Sequence, residues 1–456
     1  MQQRYLIDTP PPTISAGPIG PNGEAPTASL HCGHIFSYTQ ADLIASYRRL
    51  KGTAALLYPF CYDCNGLPTE KLAQANGHFS QESIAQFAMG ASESYRTLFR
   101  DIGIQYSPHE YNTIGPMAKS IAELSFEDLK RKGLAYRKET EFWWCPKMET
   151  SISQSELTED GRYERSGEKA ILKTGEGWFI NIMDHLPEIR RMIHAIEWKP
   201  EHFKHRLLSW MDGLQWDWSI SRERKFGIPI PGEQGMVFDT WFTSSLTPQL
   251  AWASETGEPS LSCPIFDLRY QAHDIIRTWA LFTIIKSLYH NEQIPWRTIL
   301  ITGHALSPGG DRPSKSKGNF MDPYHYINAH GPHGLRYWAT QNAPGTDTLI
   351  DEETMKQGKR LSIKLTNAER FIRMQRERGM SGRNESMEQA WKETATAFGA
   401  HMEAMDWHKA FDALNGFFWD RFCSEFIETS KKEPATDSLH DIMQAMKPYF
   451  TMMFRL

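Results

Sequence analysis

The chain has 456 residues, of which 40% are hydrophobic and 23% charged, with a formal net charge of −5. This balance fits a globular protein of two or three domains and excludes a membrane-spanning chain, since no apolar run approaches the required length. Six scattered cysteines exclude a disulfide framework. With an N-terminus (Met1-Gln2-Gln3-Arg4) that lacks a signal-peptide pattern, they fit a reducing cytoplasm. The negative charge withholds the support a basic chain would give to RNA binding, although local patches decide that question. Fifteen tryptophans and 24 phenylalanines can supply large cores.

In chain order, Tyr5–Ile7 reads as a strand and Pro10-Pro11-Pro12 follows it. The tetrapeptide His31-Cys32-Gly33-His34 then precedes a helical pattern from Ile35 to Leu50. A helix start offers unpaired N–H groups and a favourable dipole to phosphate. His31 and His34 share one helix face, and Gly33 has no side chain to block a nucleotide. Two imidazoles facing one phosphate can stabilise charge building on it. Taken alone, the pair reads more readily as capping or surface histidines.

Ala54–Pro59 reads as a strand, and helical patterns run from Gln81 to Ile102 and from Met117 to Lys132. About 120 residues of different character then interrupt the alternation. It resumes with a strand at Phe266–Tyr270 and a helix at Asp274–Tyr289. The apolar run Ile299–Ile301 reads as a buried strand and leads through Gly303 and His304 to turn chemistry at Ser307–Asp311. Arg312, Pro313, Ser314, Lys315, Ser316 and Lys317 follow in a Ser-rich loop. Compact ammonium groups on such a loop suit the β- and γ-phosphates of ATP. A solvated basic loop is the plainer reading, and the upstream histidines argue against it. From Leu349 onward apolar and charged residues recur at helix spacing. Alternating strands and helices predict an α/β fold with a doubly wound parallel sheet and its ligand at the strand C-termini.

The ordered pair of signatures resembles the ATP-handling motifs of class I aminoacyl-tRNA synthetases, and nearly the whole chain resembles the valyl-tRNA synthetases, archaeal-type sequences most closely. Thr9–Thr13, Asp63–Glu70, Asp217–Arg222, Gly227–Pro231, Asp239–Pro248 and His273–Trp279 carry the likeness. The Asp-Thr-Trp and Ile-x-x-x-Trp pieces separate it from the isoleucyl and leucyl enzymes. The resemblance implies a Rossmann-type catalytic domain that activates an amino acid with ATP and magnesium. It implies that Asp63 anchors the substrate's α-ammonium. Pro11, Pro12, Thr13, Trp241, Ile275 and Trp279 would form the amino-acid pocket. Asp274, Gly303 and His304 would hold the adenosine, with Gly33, Arg312, Ser314 and Ser316 at the ATP. Two indoles and a β-branched residue suit a small branched aliphatic side chain, valine foremost. For the tryptophans, ordinary core packing is the alternative.

The sequence departs from the family in four places. Between Trp143–Lys147, which enters the insertion, and Arg165–Glu168, which leaves it, only Met148–Glu164 remains, too short for an editing domain. The helical C-terminal part, in which Phe417–Glu428 resembles an anticodon-binding bundle, stops at Leu456. Cys145 lacks a partner cysteine, since Met148 stands at the useful position, and no structural zinc is expected. Cys61 and Cys64 read as pocket-wall residues. Ala16–Ala28 is a Gly/Pro-rich insertion that reads as either a lid or an inert loop. In addition Arg312 and Pro313 replace a lysine and a methionine, Thr13 an asparagine and Ala272 a glycine.

The expected organisation is a catalytic domain at 1–140 and 216–345, a reduced insertion at 141–215, and a helical domain at 346–456. The expected activity is adenylation of valine without editing: His31 and His34 stabilise the transition state, and Lys315, Lys317 and Arg312 the leaving pyrophosphate. The acceptor stays open between tRNA and a carrier protein or small molecule. A non-catalytic binding paralogue is disfavoured by the histidines and Lys315.

Overall fold

The computed structural model describes residues 4–17, 25–53, 55–148, 150–152, 157–158, 160–163, 167–311 and 320–454. Its centre is a five-stranded, all-parallel sheet. The strands are β1 (Arg4–Asp8), β2 (Ala55–Leu57), β3 (Glu197–Lys199), β4 (Phe266–Ala272) and β5 (Trp296–Thr302), in the order β2-β1-β4-β5-β3. The switch between β1 and β4, neighbours paired Ile7 to Leu268, opens a crevice at the strand C-termini.

Side chains alternate across the sheet. Ile7, Leu268, Tyr270 and Leu300 pack on one face with the helix Cys32–Leu50, and Leu6, Ile299 and Ile301 pack on the other with Pro116–Arg131 and Leu281–Asn291. The sheet is therefore buried on both sides, which explains its near-continuous apolar strands. The first of these cores runs on into the helical C-terminal part. Arg336 fastens that junction. It pairs with Asp42 at 2.8 Å, both side chains fully buried, and donates to the carbonyls of Met452 and Met453, each at 2.8 Å.

Three sequence expectations change. The 274–289 helix is broken into a 3-10 turn (His273–Ile275), a π turn (Ile276–Ala280) and the helix Leu281–Asn291. The π turn re-aims one face of the segment, placing Trp279 at the crevice. The Ala54–Pro59 strand is shorter, Ala55–Leu57, and a second strand, Pro59–Tyr62, follows it. The strand pairing also crosses the expected boundaries at 140 and 215. An antiparallel sheet of Thr150–Ile152, Ala135–Cys145, Ile171–Ile180 and Trp218–Ser219 begins earlier and ends later, whereas β3 lies inside 141–215 yet pairs with β5. A three-residue strand carries too little pattern to be read from sequence.

At the 16–28 insertion, Ala16 bridges Ala28 and the Gly17 N–H donates to the Thr27 carbonyl, so its base is closed; 18–24 lie outside the described residues.

Candidate active site

A cavity of ≈ 370 Å³ opens at the crevice. Its wall brings together Pro11, Pro12, Thr13, His31, Gly33, His34, Trp241, Asp274, Ile275, Trp279, Gly303 and His304. These come from five stretches of chain, all singled out by sequence.

One end of the cavity is built by the helix Cys32–Leu50. His31 is its N-cap, and its Nδ1 accepts the Gly33 N–H at 3.0 Å. His34 Nδ1 accepts the His31 N–H at 3.3 Å. The capping reading is thus borne out: each ring commits one edge to the backbone of its own helix turn. Each Nδ1 acts as an acceptor, so in a neutral imidazole the proton sits on Nε2, which makes that edge a donor. Phe320, the first described residue after the lysine signature, packs edge-on against His31 with centroids 6.4 Å apart, and the Cys32 N–H donates to the Met321 carbonyl at 3.0 Å. One flank of the second signature therefore rests on the first. Arg312, Ser314, Lys315, Ser316 and Lys317 lie outside the described residues.

Elsewhere on the wall, Trp241 and Trp279 meet at 5.5 Å and 76°. Trp279 Nε1 donates to the Ser244 carbonyl at 2.6 Å, fixing the indole across the pocket. Tyr38 donates its hydroxyl to the Pro10 carbonyl and ties the proline run to the first helix.

Asp63 is placed differently from the expectation. It is 2% exposed and does not line the cavity; it sits behind Thr13, to which it is bridged. Its carboxylate accepts from the Thr113 hydroxyl, the Asn65 N–H at 3.0 Å and, at 3.5 Å, the Thr13 hydroxyl. Burial pushes its pKa up to about 6. The same loop braces the pocket: Asn65 Nδ2 donates to Thr243 Oγ1 at 3.2 Å, and Gly66, at φ +106°, lets the backbone pass where a Cβ would lie 2.8 Å from Thr240 Oγ1. Cys61 is buried beside Thr9, and burial pushes its thiol up to about 12.

Sequence reasoning missed Thr9, Ser37, Tyr38, Tyr270 and Gln271 on the cavity wall. Tyr270 and Gln271 stand at the C-terminal end of β4, the place where a doubly wound sheet binds its ligand, and that rule could have found them. It also missed the ion pair beneath them. Arg269 Nη1 meets Asp8 Oδ2 at 2.8 Å, both side chains fully buried, and Arg269 Nε donates to Gln271 Oε1 at 3.0 Å. Burial raises the Asp8 pKa against the pull of Arg269.

A family profile described as tRNA synthetases class I (I, L, M and V) matches residues 8–232 and 233–351. A valine–tRNA ligase of Anaplasma marginale (strain St. Maries) is 25% identical, over 94% of this chain and 77% of that protein. One from Rickettsia conorii (strain ATCC VR-613 / Malish 7) is 26% identical, over 81% and 69%. Among solved structures, Mycobacterium tuberculosis methionyl-tRNA synthetase in complex with methionyl-adenylate has a TM-score of 0.78 at 20% identity, covering 99% of this chain and 92% of that one. The Agrobacterium radiobacter K84 agnB2 LeuRS in its ternary complex with tRNA and LeuAMS also has a TM-score of 0.78, at 15% identity, covering 100% and 84%. At these identities the two structures establish the shared fold.

Proposed function

The chain belongs to the class I tRNA synthetases (I, L, M and V), and from that premise we propose that it activates valine with ATP and transfers it to tRNA without editing. The observation that carries the proposal is the single cavity shared by His31, Gly33 and His34, by Trp241, Ile275 and Trp279, and by Gly303 and His304. A carboxylate held at the tryptophan end attacks the α-phosphorus held at the histidine end. The P–O bond to pyrophosphate breaks, and the Nε2 donors of His31 and His34 stabilise the oxygens as charge builds on them. Lys315, Lys317 and Arg312 are assigned to the departing pyrophosphate. Magnesium would enter on the triphosphate, whose oxygens are its natural ligands.

Valine is supported by the pocket chemistry and by the valine–tRNA ligase relatives. In place of a direct salt bridge from Asp63, the α-ammonium is assigned to the Thr13 edge, with the Asp63 carboxylate behind it. Non-editing rests on the short stretch Met148–Glu164.

RNA is favoured as acceptor by the helix Glu352–Glu377. One face, Met355, Leu361, Leu365, Ala368 and Ile372, is buried. Around the rest of the helix Arg360, Lys364, Arg370 and Arg373 are exposed, with Ile363 and Met374 among them and Glu352, Glu353 and Glu377 near its ends. A basic helix surface of this kind suits a polyanionic acceptor better than a small-molecule one.

The test is amino-acid-dependent ATP–pyrophosphate exchange over a full panel, with and without tRNA. Valine-dependent exchange and tRNA charging are expected. Exchange without charging of any tRNA would remove the acceptor assignment, and no exchange with any amino acid would remove the enzyme.

A further inference from the structure

We infer that Asp347 is a positioning residue for the nucleotide, clamping a column of three rings whose last member, His304, walls the cavity where the purine base is received. The inference rests on the reading that the Gly303–His304 end of the cavity takes ATP.

The column runs from Phe203 to His273 (5.7 Å, 14°) and from His273 to His304 (4.1 Å, 66°). Only His304 of the three lines the cavity. Asp347 Oδ1 accepts the His304 backbone N–H at 2.7 Å and bonds His273 Nε2 at 2.9 Å. One carboxylate oxygen thus holds the backbone of the last ring and the side chain of the one behind it. Burial opposes the charge on Asp347, but the bonds from His304 and His273 outweigh it and hold the carboxyl below its ordinary value.

The surrounding backbone is shaped to bring Asp347 there. Gly303 lies so close to the 346–347 segment that a Cβ would sit 2.0 Å from the Thr346 carbonyl oxygen. Gly345, at φ +76°, has its Cβ direction 2.7 Å from Phe203 Cε2. The linker 345–347 is therefore wedged between the first ring of the column and the backbone before the last. It continues into Thr348–Leu349, which pairs in parallel with Ala305–Leu306, and the Thr348 N–H donates to the His304 carbonyl at 2.8 Å. Both backbone groups of His304 are thus held by this one linker. A planar heterocycle gains contact area and edge-to-face electrostatics at the end of an aromatic stack, provided the terminal ring is fixed beforehand. Removing the clamp should weaken the purine nucleotide and leave the amino acid alone.

The experiment measures KM for ATP and for valine in pyrophosphate exchange, alongside calorimetric ATP titration, for the wild type, Asp347→Ala, Asp347→Asn and His273→Gln. Asp347→Ala is expected to raise the ATP KM and Kd about tenfold, equivalent to ~1.4 kcal/mol, with valine KM and kcat within about twofold. His273→Gln should move ATP the same way by less. Asp347→Asn keeps an acceptor oxygen and should fall between Asp347→Ala and the wild type. If Asp347→Ala fails to fold, judged by its melting curve, the other two variants carry the test. An unchanged ATP Kd, or equal losses for ATP and valine, would overturn the clamp. Wild-type protein that binds ATP but shows no exchange would count against valine activation instead, and the Kd series would still decide the role of Asp347.

Discussion

The imidazoles of His31 and His34 lie with centroids 4.1 Å apart, and each commits its Nδ1 to a backbone N–H of the same helix turn. Capping fixes the Nε2–H tautomer, the donor form that the proposed adenylation uses. His34→Ala should therefore lower exchange by roughly 10²–10³-fold, the scale seen for loss of one transition-state donor. His34→Asn keeps a local acceptor for the His31 N–H and should restore the melting temperature without restoring the rate. Paired melting curves and exchange rates check this.

Trp241 is half-buried and meets Trp279 edge-on. Trp241→Ala opens the pocket. It should raise the valine KM by about 10–100-fold, in keeping with ~1.5–3 kcal/mol of buried side-chain contact, and admit leucine or methionine. An amino-acid panel measured on the variant decides the point. Unchanged selectivity would return Trp241 to the core.

An apolar pocket distinguishes valine from threonine by only about a hundredfold. The exchange kcat/KM ratio should lie near that figure, and threonyl-tRNA, once made, should persist. Rapid enzyme-dependent deacylation of threonyl-tRNA would show a hydrolytic site and sink the non-editing assignment.

Charge reversal on the exposed helix face, Arg360→Glu with Lys364→Glu, should leave valine-dependent exchange intact. Charging should fall by 10-fold or more, and the salt dependence of RNA binding should flatten by about two counterions. Equal loss of exchange would mean that the face serves the fold rather than RNA.

A buried polar chain sets a pH limit on stability. Lys286 Nζ donates to Ser125 Oγ at 2.6 Å, Ser125 Oγ bonds His290 Nε2 at 2.9 Å, and His290 Nδ1 bonds Asp128 Oδ2 at 2.8 Å. Burial, with the nearby Lys286, pushes His290 down to about 3. Unfolded histidine takes its proton near 6.5 and the folded one does not, so the unfolded state binds more protons between these values. Stability should fall as pH drops from about 6.5 towards 3, by ~1.4 kcal/mol per pH unit from this residue. Asp63, raised to about 6, works in the opposite direction between about 6 and 4. The difference between wild type and His290→Gln reports the histidine together with its hold on Asp128, which is lowered to about 2: the variant's pH–stability curve should be the flatter one between about 6.5 and 4.

Local pattern made much of this site legible. The strand at Tyr5–Ile7 and the strand preceding Gly303 are apolar runs, the histidine helix has a clear period, and the tryptophans follow short recognisable strings. What stayed hidden depends on long-range pairing. Asp8 and Arg269 meet across 261 positions, and neither has a local signal of its own. Asp347 belongs to a linker with turn-like composition, and only the closeness of Gly303 to Thr346 gives it a role. Asp63 was legible as important and misplaced by one layer. A quoted string identifies a loop but not which of its side chains faces the ligand. The three residues of β3 were unreadable because an edge strand that short has no period.

The guanidinium of Arg336 reaches Asp42 on the histidine-bearing helix and the carbonyls of the final described turns in a single grip. During synthesis Asp42 emerges from the ribosome long before Met452 does. The half of the chain that carries Asp42 must therefore wait, its buried carboxyl deprived of part of its lasting company, until the distal helices arrive. Proteolytic separation of the two portions should yield fragments that regain activity only on recombination.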